Sequence, residues 1–126
     1  MRAIALGLAL AASAAHAETP RVNYMLQCQG CHGADGRGAG TVPSLEGVGR
    51  FLAAPGGREY LVRVPGSSQS ALDDAELAEV LNWILREFDP RDFVPYTAAE
   101  VSRVRRPPLD DVDAVRRELE RSLAAP

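Results

Sequence analysis

Lysine is absent from this chain, and residues that bind metals or react as nucleophiles are rare. All 14 basic residues are arginine, 17 residues are acidic, and the formal net charge is −3. The chain has only two Cys, two Met, two His and one Trp. Nothing in this balance indicates nucleic-acid binding. No long apolar run follows the first residues, so we expect no membrane span in the mature chain.

The only two cysteines stand together in the run Cys28-Gln29-Gly30-Cys31-His32. This C-x-x-C-H spacing is typical of covalent c-type haem attachment, in which each thiol forms a thioether to the porphyrin and the imidazole binds the iron. A disulfide, a redox dithiol and half of a zinc site are the alternatives. Zinc needs about four ligands, and a thioredoxin-like dithiol expects a βαβ pattern that is not evident here. The motif therefore predicts one covalent haem c with His32 as the proximal iron ligand.

Residues 1–17 have the pattern of a secretory signal peptide. Arg2 gives a positive start, residues 3–12 are apolar, and residues 15–17 form a small-x-small cleavage site. The apolar run is too short to span a membrane, and a buried apolar helix is the alternative. We predict cleavage after Ala17 and export to a bacterial periplasm. Loss of Arg2 leaves 13 basic and 17 acidic residues, a net charge of −4.

Hydrophobic periodicity predicts an all-α fold. The clearest helix covers residues 73–88, where Asp73 and Glu76 fit a capping box and apolar residues recur at helical spacing. Shorter helices are predicted over residues 22–32, 50–54 and 58–64. Pro65-Gly66 predicts a turn or loop, and the glycine-rich residues 33–40 predict a loop that runs tightly against the haem edge.

Residues 89–126 differ from the preceding sequence because four prolines interrupt them before the last helix. Thr97 and Glu100 fit a capping box for a short helix that ends near Arg106. Residues 110–123 carry a narrow apolar stripe and acidic residues at the predicted positive helix start. We expect this segment to pack on the preceding domain, and a partner-binding role is the alternative.

Over residues 22–88 the chain resembles the bacterial class I cytochromes c. The matching features are the motif followed by Gly33-Ala34-Asp35-Gly36, the run Pro43-x-Leu45-x-Gly47, Leu72-x-Asp74 before the amphipathic helix, and the aromatic pair Tyr24 and Trp83. The resemblance implies a small all-α domain, residues 18–88, that wraps around one haem and transfers electrons. Residues 89–126 would be a C-terminal extension.

The resemblance also implies roles for single residues. The Pro43 carbonyl would orient the ring of His32, as partners of metal-bound histidines do. Tyr24 and Trp83 would lie where the first and last helices of the domain cross. With Pro43 and Leu45, these aromatic residues would pack on the haem or support residues that do.

One departure concerns the sixth iron ligand. Family members usually place a distal Met before the last helix, but this chain has Val64 there. Met25 lies only three residues before Cys28, too close to the motif to reach the far face of the haem, and is predicted to pack in the core. Without a methionine ligand, we expect a lower reduction potential than in cytochromes with Met and His ligands. Arg63 could stabilise a propionate or a bound anion, but an ordinary solvated arginine is the favoured interpretation. Only weak ligands remain: water, Ser67, Ser68, Gln69 and Asn82.

The sequence therefore predicts a periplasmic carrier of single electrons and not an enzyme. It would act between a dehydrogenase or respiratory complex and a downstream redox acceptor. One alternative is a haem subunit that docks on a dehydrogenase through residues 89–126. Another is a haem protein whose open iron site binds small ligands.

Overall fold

A computed structural model describes residues 18–125, and these residues form helices and loops with no strand. The predicted all-α fold is confirmed, and the predicted signal peptide lies outside the described residues. None of the described helices has the length and apolar character needed to cross a membrane. The elements are α1 (Pro20–Gln27), α2 (Gln29–His32), a 3-10 helix (Val48–Ala53), α3 (Gly57–Arg63), α4 (Pro65–Ser68), α5 (Asp74–Phe88), α6 (Ala98–Val104) and α7 (Val112–Ala124).

Helices α1 and α5 cross at an aromatic contact. Tyr24 is almost fully buried, and its ring centroid lies 4.9 Å from that of Trp83. The α5 start is fixed by a complete capping box, in which Asp73 accepts from the Glu76 N–H and Glu76 accepts from the Asp73 N–H. The contact between the buried ring of Tyr24 and the partly buried ring of Trp83 holds the end of α1, and hence the motif that follows it, in a defined place.

Two local predictions differ from the structure. The helix predicted over residues 22–32 is two helices, because the backbone at Cys28 departs from helical geometry with φ −122° and ψ −39°. Pro65 and Gly66, predicted as a turn, begin the short helix α4. Proline suits the first position of a helix because its missing N–H would have no partner there.

The C-terminal extension packs on the domain. Helix α6 contacts α5 and α3, and α7 contacts the 3-10 helix and α3. Val101 and Leu119 are buried in the common core. The guanidinium of Arg58 donates two hydrogen bonds of 2.7 Å to the carboxylate of Glu100. These contacts make residues 98–124 part of the same folded unit as α3 and α5.

Arg105 fixes the connection between α4 and α5. Its side chain is buried and donates to the carbonyl oxygens of Ser68 (3.1 Å), Ser70 (2.9 Å) and Leu72 (2.8 Å). It also pairs with Asp74 at 3.1 Å. In return, the Ser68 hydroxyl donates to the carbonyl oxygen of Arg105. The guanidinium thus satisfies carbonyl groups that have no helical partner.

Candidate functional site

An apolar cleft lies beside the C-x-x-C-H motif and is lined by several helices. Helix α5 contributes Leu81, Ile84 and Leu85. The other residues that line the cleft come from the end of α1, from the motif and the loop after it, from the 3-10 helix, and from α3, α4 and α7. They are Gln27, Cys28, Cys31, His32, Pro43, Ser44, Leu45, Val48, Phe51, Tyr60, Leu61, Val64, Gly66, Ser67, Val112 and Arg116.

The ring of His32 is oriented by a backbone carbonyl. Its Nδ1 lies 3.1 Å from the carbonyl oxygen of Pro43. A carbonyl only accepts, so Nδ1 carries the proton and Nε2 of the neutral ring keeps its lone pair. Burial lowers the pKa of His32, although the bond to Pro43 acts in the opposite direction. The ring is therefore kept neutral with one nitrogen ready to bind a metal, the arrangement expected of a metal-ligating histidine.

Gly38 lets the loop return closely enough for Pro43 to reach His32. Its φ is +71°, and a Cβ there would lie 2.3 Å from the Val42 carbonyl oxygen and 2.9 Å from that of Pro43. The Gly38 N–H also donates to the His32 carbonyl oxygen at 2.8 Å. Only glycine combines this positive φ with such a close approach of backbone.

Cys28 and Cys31 form no disulfide with each other. Burial, and secondarily the charge of Cys31, raises the pKa of Cys28 to about 11. Before haem attachment that thiol is therefore protonated at neutral pH. No group of three or more metal-ligating side chains gathers anywhere in residues 18–125, so this part of the chain supplies no complete zinc site.

Tyr60 and Arg116 form a polar end of the cleft that the sequence reasoning missed. Tyr60 is 5% exposed and lines the cleft together with Arg116. Burial raises the pKa of its phenol, while Arg116 lowers it. Arg116 also pairs with Glu120 at 3.0 Å. The sequence did contain an indication for Arg116. It follows Val112 of the apolar stripe by four positions, and residues at that spacing share one side of a helix.

These residues fit haem c. The group is a large apolar disc with two carboxylates. The cleft has apolar walls and carries two thiols and an imidazole at the motif, a phenol on α3 and a guanidinium on α7. Cys28 and Cys31 would hold the thioethers and His32 the iron. Arg116 and Tyr60 are donors suited to a carboxylate. When bound, haem supplies an iron that gains or loses one electron.

The residues for which the family resemblance implied a role fall into two groups. Pro43 and Leu45 line the cleft, as does Val64. Tyr24 and Trp83 do not line it and pack against each other at the α1–α5 crossing. The Tyr24 hydroxyl donates to the carbonyl oxygen of Gly33 at 2.6 Å, and burial raises its pKa to about 12. These two rings therefore support the segment that carries the motif.

Of the weak candidate ligands, only Ser67 lines the cleft. Ser68 is buried and bonded to the tail, and Gln69 is exposed. The Asn82 side chain is held by the backbone of Tyr96, with which it makes hydrogen bonds of 3.0 and 2.7 Å.

The expectation for Met25 fails, and Arg63 does not take the role considered for it in the cleft. Met25 was expected in the core, but its side chain is 51% exposed because the buried side of α1 is formed by Asn23 and Tyr24. Arg63 lies outside the cleft and donates to the carbonyl oxygen of Pro107 at 2.8 Å. It therefore holds the C-terminal extension rather than a group in the cleft.

Comparison with known proteins identifies two similar chains, and no protein-family model matches. A cytochrome c-552 of Thermus thermophilus is 33% identical over 129 aligned positions, which cover 83% of this chain and 87% of that protein. A second cytochrome c-552 of Thermus thermophilus is 38% identical over 103 positions, 63% of this chain and 79% of that protein. The chain belongs to the c-type cytochromes, and its role is electron transport by covalently bound haem rather than enzymatic turnover.

Proposed function

We propose that this chain is a periplasmic cytochrome that carries one haem c and transfers single electrons. It would act between a dehydrogenase or respiratory complex and a downstream acceptor. The observation that supports this is the convergence of Cys28, Cys31 and His32 on one apolar cleft. Electron transfer needs no bond making at the iron, and the protein sets the potential through ligands, hydrogen bonds and burial.

Each part of the cleft has a task in this proposal. His32 holds the iron from one side, and Pro43 keeps its Nδ1 protonated and its ring fixed. The apolar side chains exclude water from the group. Arg116 and Tyr60 offer donors to a propionate, whose charge would otherwise oppose reduction. Because the chain has only two cysteines, we propose a single attachment.

Mass spectrometry with a redox titration tests the cofactor. We expect the protein matured in a bacterial host that attaches haem to gain the mass of one haem, retained after denaturation, and to titrate with one electron. Cys28→Ala should lose one thioether or the whole group. The matched control is Ser122→Ala, at an exposed position of α7. An unmodified mass, or two haems per chain, would contradict the proposal.

The contacts of the C-terminal extension favour a free carrier over a docked subunit. Glu100 is held by Arg58, and Arg105 is buried against the α4–α5 connection. These groups are used within the chain and are not available to a partner. We expect a native periplasmic extract to show the haem at the size of this small chain in size exclusion, and N-terminal sequencing to begin at Glu18. Co-elution with a large dehydrogenase would favour the docked subunit.

A further inference from the structure

The described part of the chain offers few strong ligands for a second side of the iron. Met25 is the only methionine in residues 18–125, and it is exposed and outside the cleft. His32 is the only histidine of that range, and lysine is absent from the whole chain. Methionine and histidine are the usual axial partners in cytochromes, so a sixth ligand would have to come from weaker side chains that line the cleft.

Most of the polar side chains on the cleft already have partners. Gln27 accepts from the Ala71 N–H at 3.4 Å, and Ser44 accepts from the Glu46 N–H at 3.0 Å. Arg116 pairs with Glu120 at 3.0 Å, and burial raises the pKa of the Tyr60 phenol, which therefore stays neutral. Ser67 remains, and a neutral hydroxyl is a weak iron ligand.

Helices α3 and α4, with the residue between them, contribute Leu61, Val64, Gly66 and Ser67 to the cleft. We call these four residues the α3–α4 wall. Different neighbours position this wall and the motif. Helix α2, which carries His32, packs on α1, whereas α3 packs on α4, α6, α7 and the 3-10 helix. The wall is apolar except for one hydroxyl and contains no cation, because Arg63 is directed to Pro107 instead.

The wall is also fixed in place. The Ser68 N–H donates to the Val64 carbonyl oxygen at 2.9 Å, and Ser68 is fully buried. Arg105 binds the carbonyl oxygens of Ser68, Ser70 and Leu72. A segment held by this many buried bonds cannot readily rearrange to bring in another residue as a ligand.

We propose that the α3–α4 wall faces the iron from the side away from His32, supplies no strong sixth ligand, and admits a small neutral diatomic molecule such as carbon monoxide. This rests on the proposed function, since it needs the covalent haem. The apolar wall suits a neutral molecule, because such a molecule loses little hydration on entering it.

Carbon monoxide titration of the reduced, haem-loaded protein tests this proposal. We expect stoichiometric binding with a shifted Soret band. Val64→Met should restore a thioether: the oxidised protein should gain the long-wavelength Met–iron band, and affinity for carbon monoxide should fall at least about tenfold. The matched control is Val94→Met, at a position 75% exposed, which should behave as the parent chain.

Two results would overturn the inference. One is a reduced parent protein that is low-spin, six-coordinate and unchanged by saturating carbon monoxide. The other is a folded Val64→Met protein whose spectrum and carbon monoxide affinity match those of the parent. If Val64→Met does not fold, the parent titration and Ser67→Met decide the question. Absence of covalent haem would instead contradict the proposed function, which separates the two failures.

Discussion

Arg105 and Ser68 bind each other in both directions. The guanidinium Nε donates to the Ser68 carbonyl oxygen at 3.1 Å, and the Ser68 hydroxyl donates to the carbonyl oxygen of Arg105. The two residues lie 37 positions apart in the sequence, so this exchange joins the C-terminal extension to the segment in front of α5. Both residues are buried, which makes the pair sensitive to the loss of either partner.

We predict that Arg105→Gln lowers the free energy of unfolding by about 3–5 kcal/mol, because several buried carbonyl oxygens lose a charged donor. Urea titration followed by circular dichroism measures this. Arg106→Gln is the matched control, since Arg106 is exposed and its loss should change stability by less than about 0.5 kcal/mol. Equal effects of the two substitutions would contradict a structural role for Arg105.

Glu100 should make stability depend on pH. Hydrogen bonds from Arg58 hold the pKa of Glu100 below its usual value. A carboxylate with a lowered folded-state pKa stabilises the fold above its unfolded pKa, and this contribution is lost as the pH falls through the folded value. Glu100→Gln should therefore cost about 1–2 kcal/mol at pH 7, and the difference should shrink below about pH 4. Glu87→Gln serves as the control, because Glu87 is exposed. A stability difference between the parent and Glu100→Gln that grows as the pH falls would contradict the prediction.

Alanine substitutions at Gly38 and Gly40 separate the cost of a strained backbone conformation from the cost of a steric clash. Both have positive φ, +71° and +59°, but an added Cβ would meet the backbone at residue 42 only in the case of Gly38. Gly40→Ala should cost about 1–2 kcal/mol from the backbone conformation alone. Gly38→Ala should cost more, at least about 3 kcal/mol, because backbone must move. Thermal unfolding of both variants measures the difference, and equal losses would show that the loop relaxes freely.

Leu119 reports on the packing of α7. It is 4% exposed in the common core, so Leu119→Ala should lower the unfolding free energy by about 2–5 kcal/mol. Leu26 is 68% exposed, and Leu26→Ala should change it by less than about 0.5 kcal/mol. Guanidinium titration compares the two variants. A Leu119→Ala protein as stable as the parent would contradict a stabilising role for Leu119 in the core.

Features encoded by neighbouring residues could be predicted from the sequence. The α5 start needed only Asp73, Glu76 and the apolar spacing after them, and the structure has both capping bonds. The motif likewise lies within five consecutive positions. By contrast, Tyr60 and Arg116 meet only because α7 folds back against α3, and no local pattern contains that information.

Other predictions were wrong because tertiary contacts override the local sequence preferences on which they rested. Proline and glycine at positions 65 and 66 indicate a turn, yet the carbonyl of Val64 accepts from Ser67 and Ser68 and a helix begins there. Met25 was assigned to the core by its apolar character. The side of α1 that faces α5 is set instead by Tyr24, whose ring meets Trp83.

The wall that α7 contributes to the cleft has a consequence for how the protein is made. Cys28 and Cys31 are synthesised well before Val112 and Arg116, which complete the cleft. Until α7 has packed, the cleft therefore lacks the side that these two residues form. A chain that receives its haem at that stage would bind it through an opening that α7 afterwards closes.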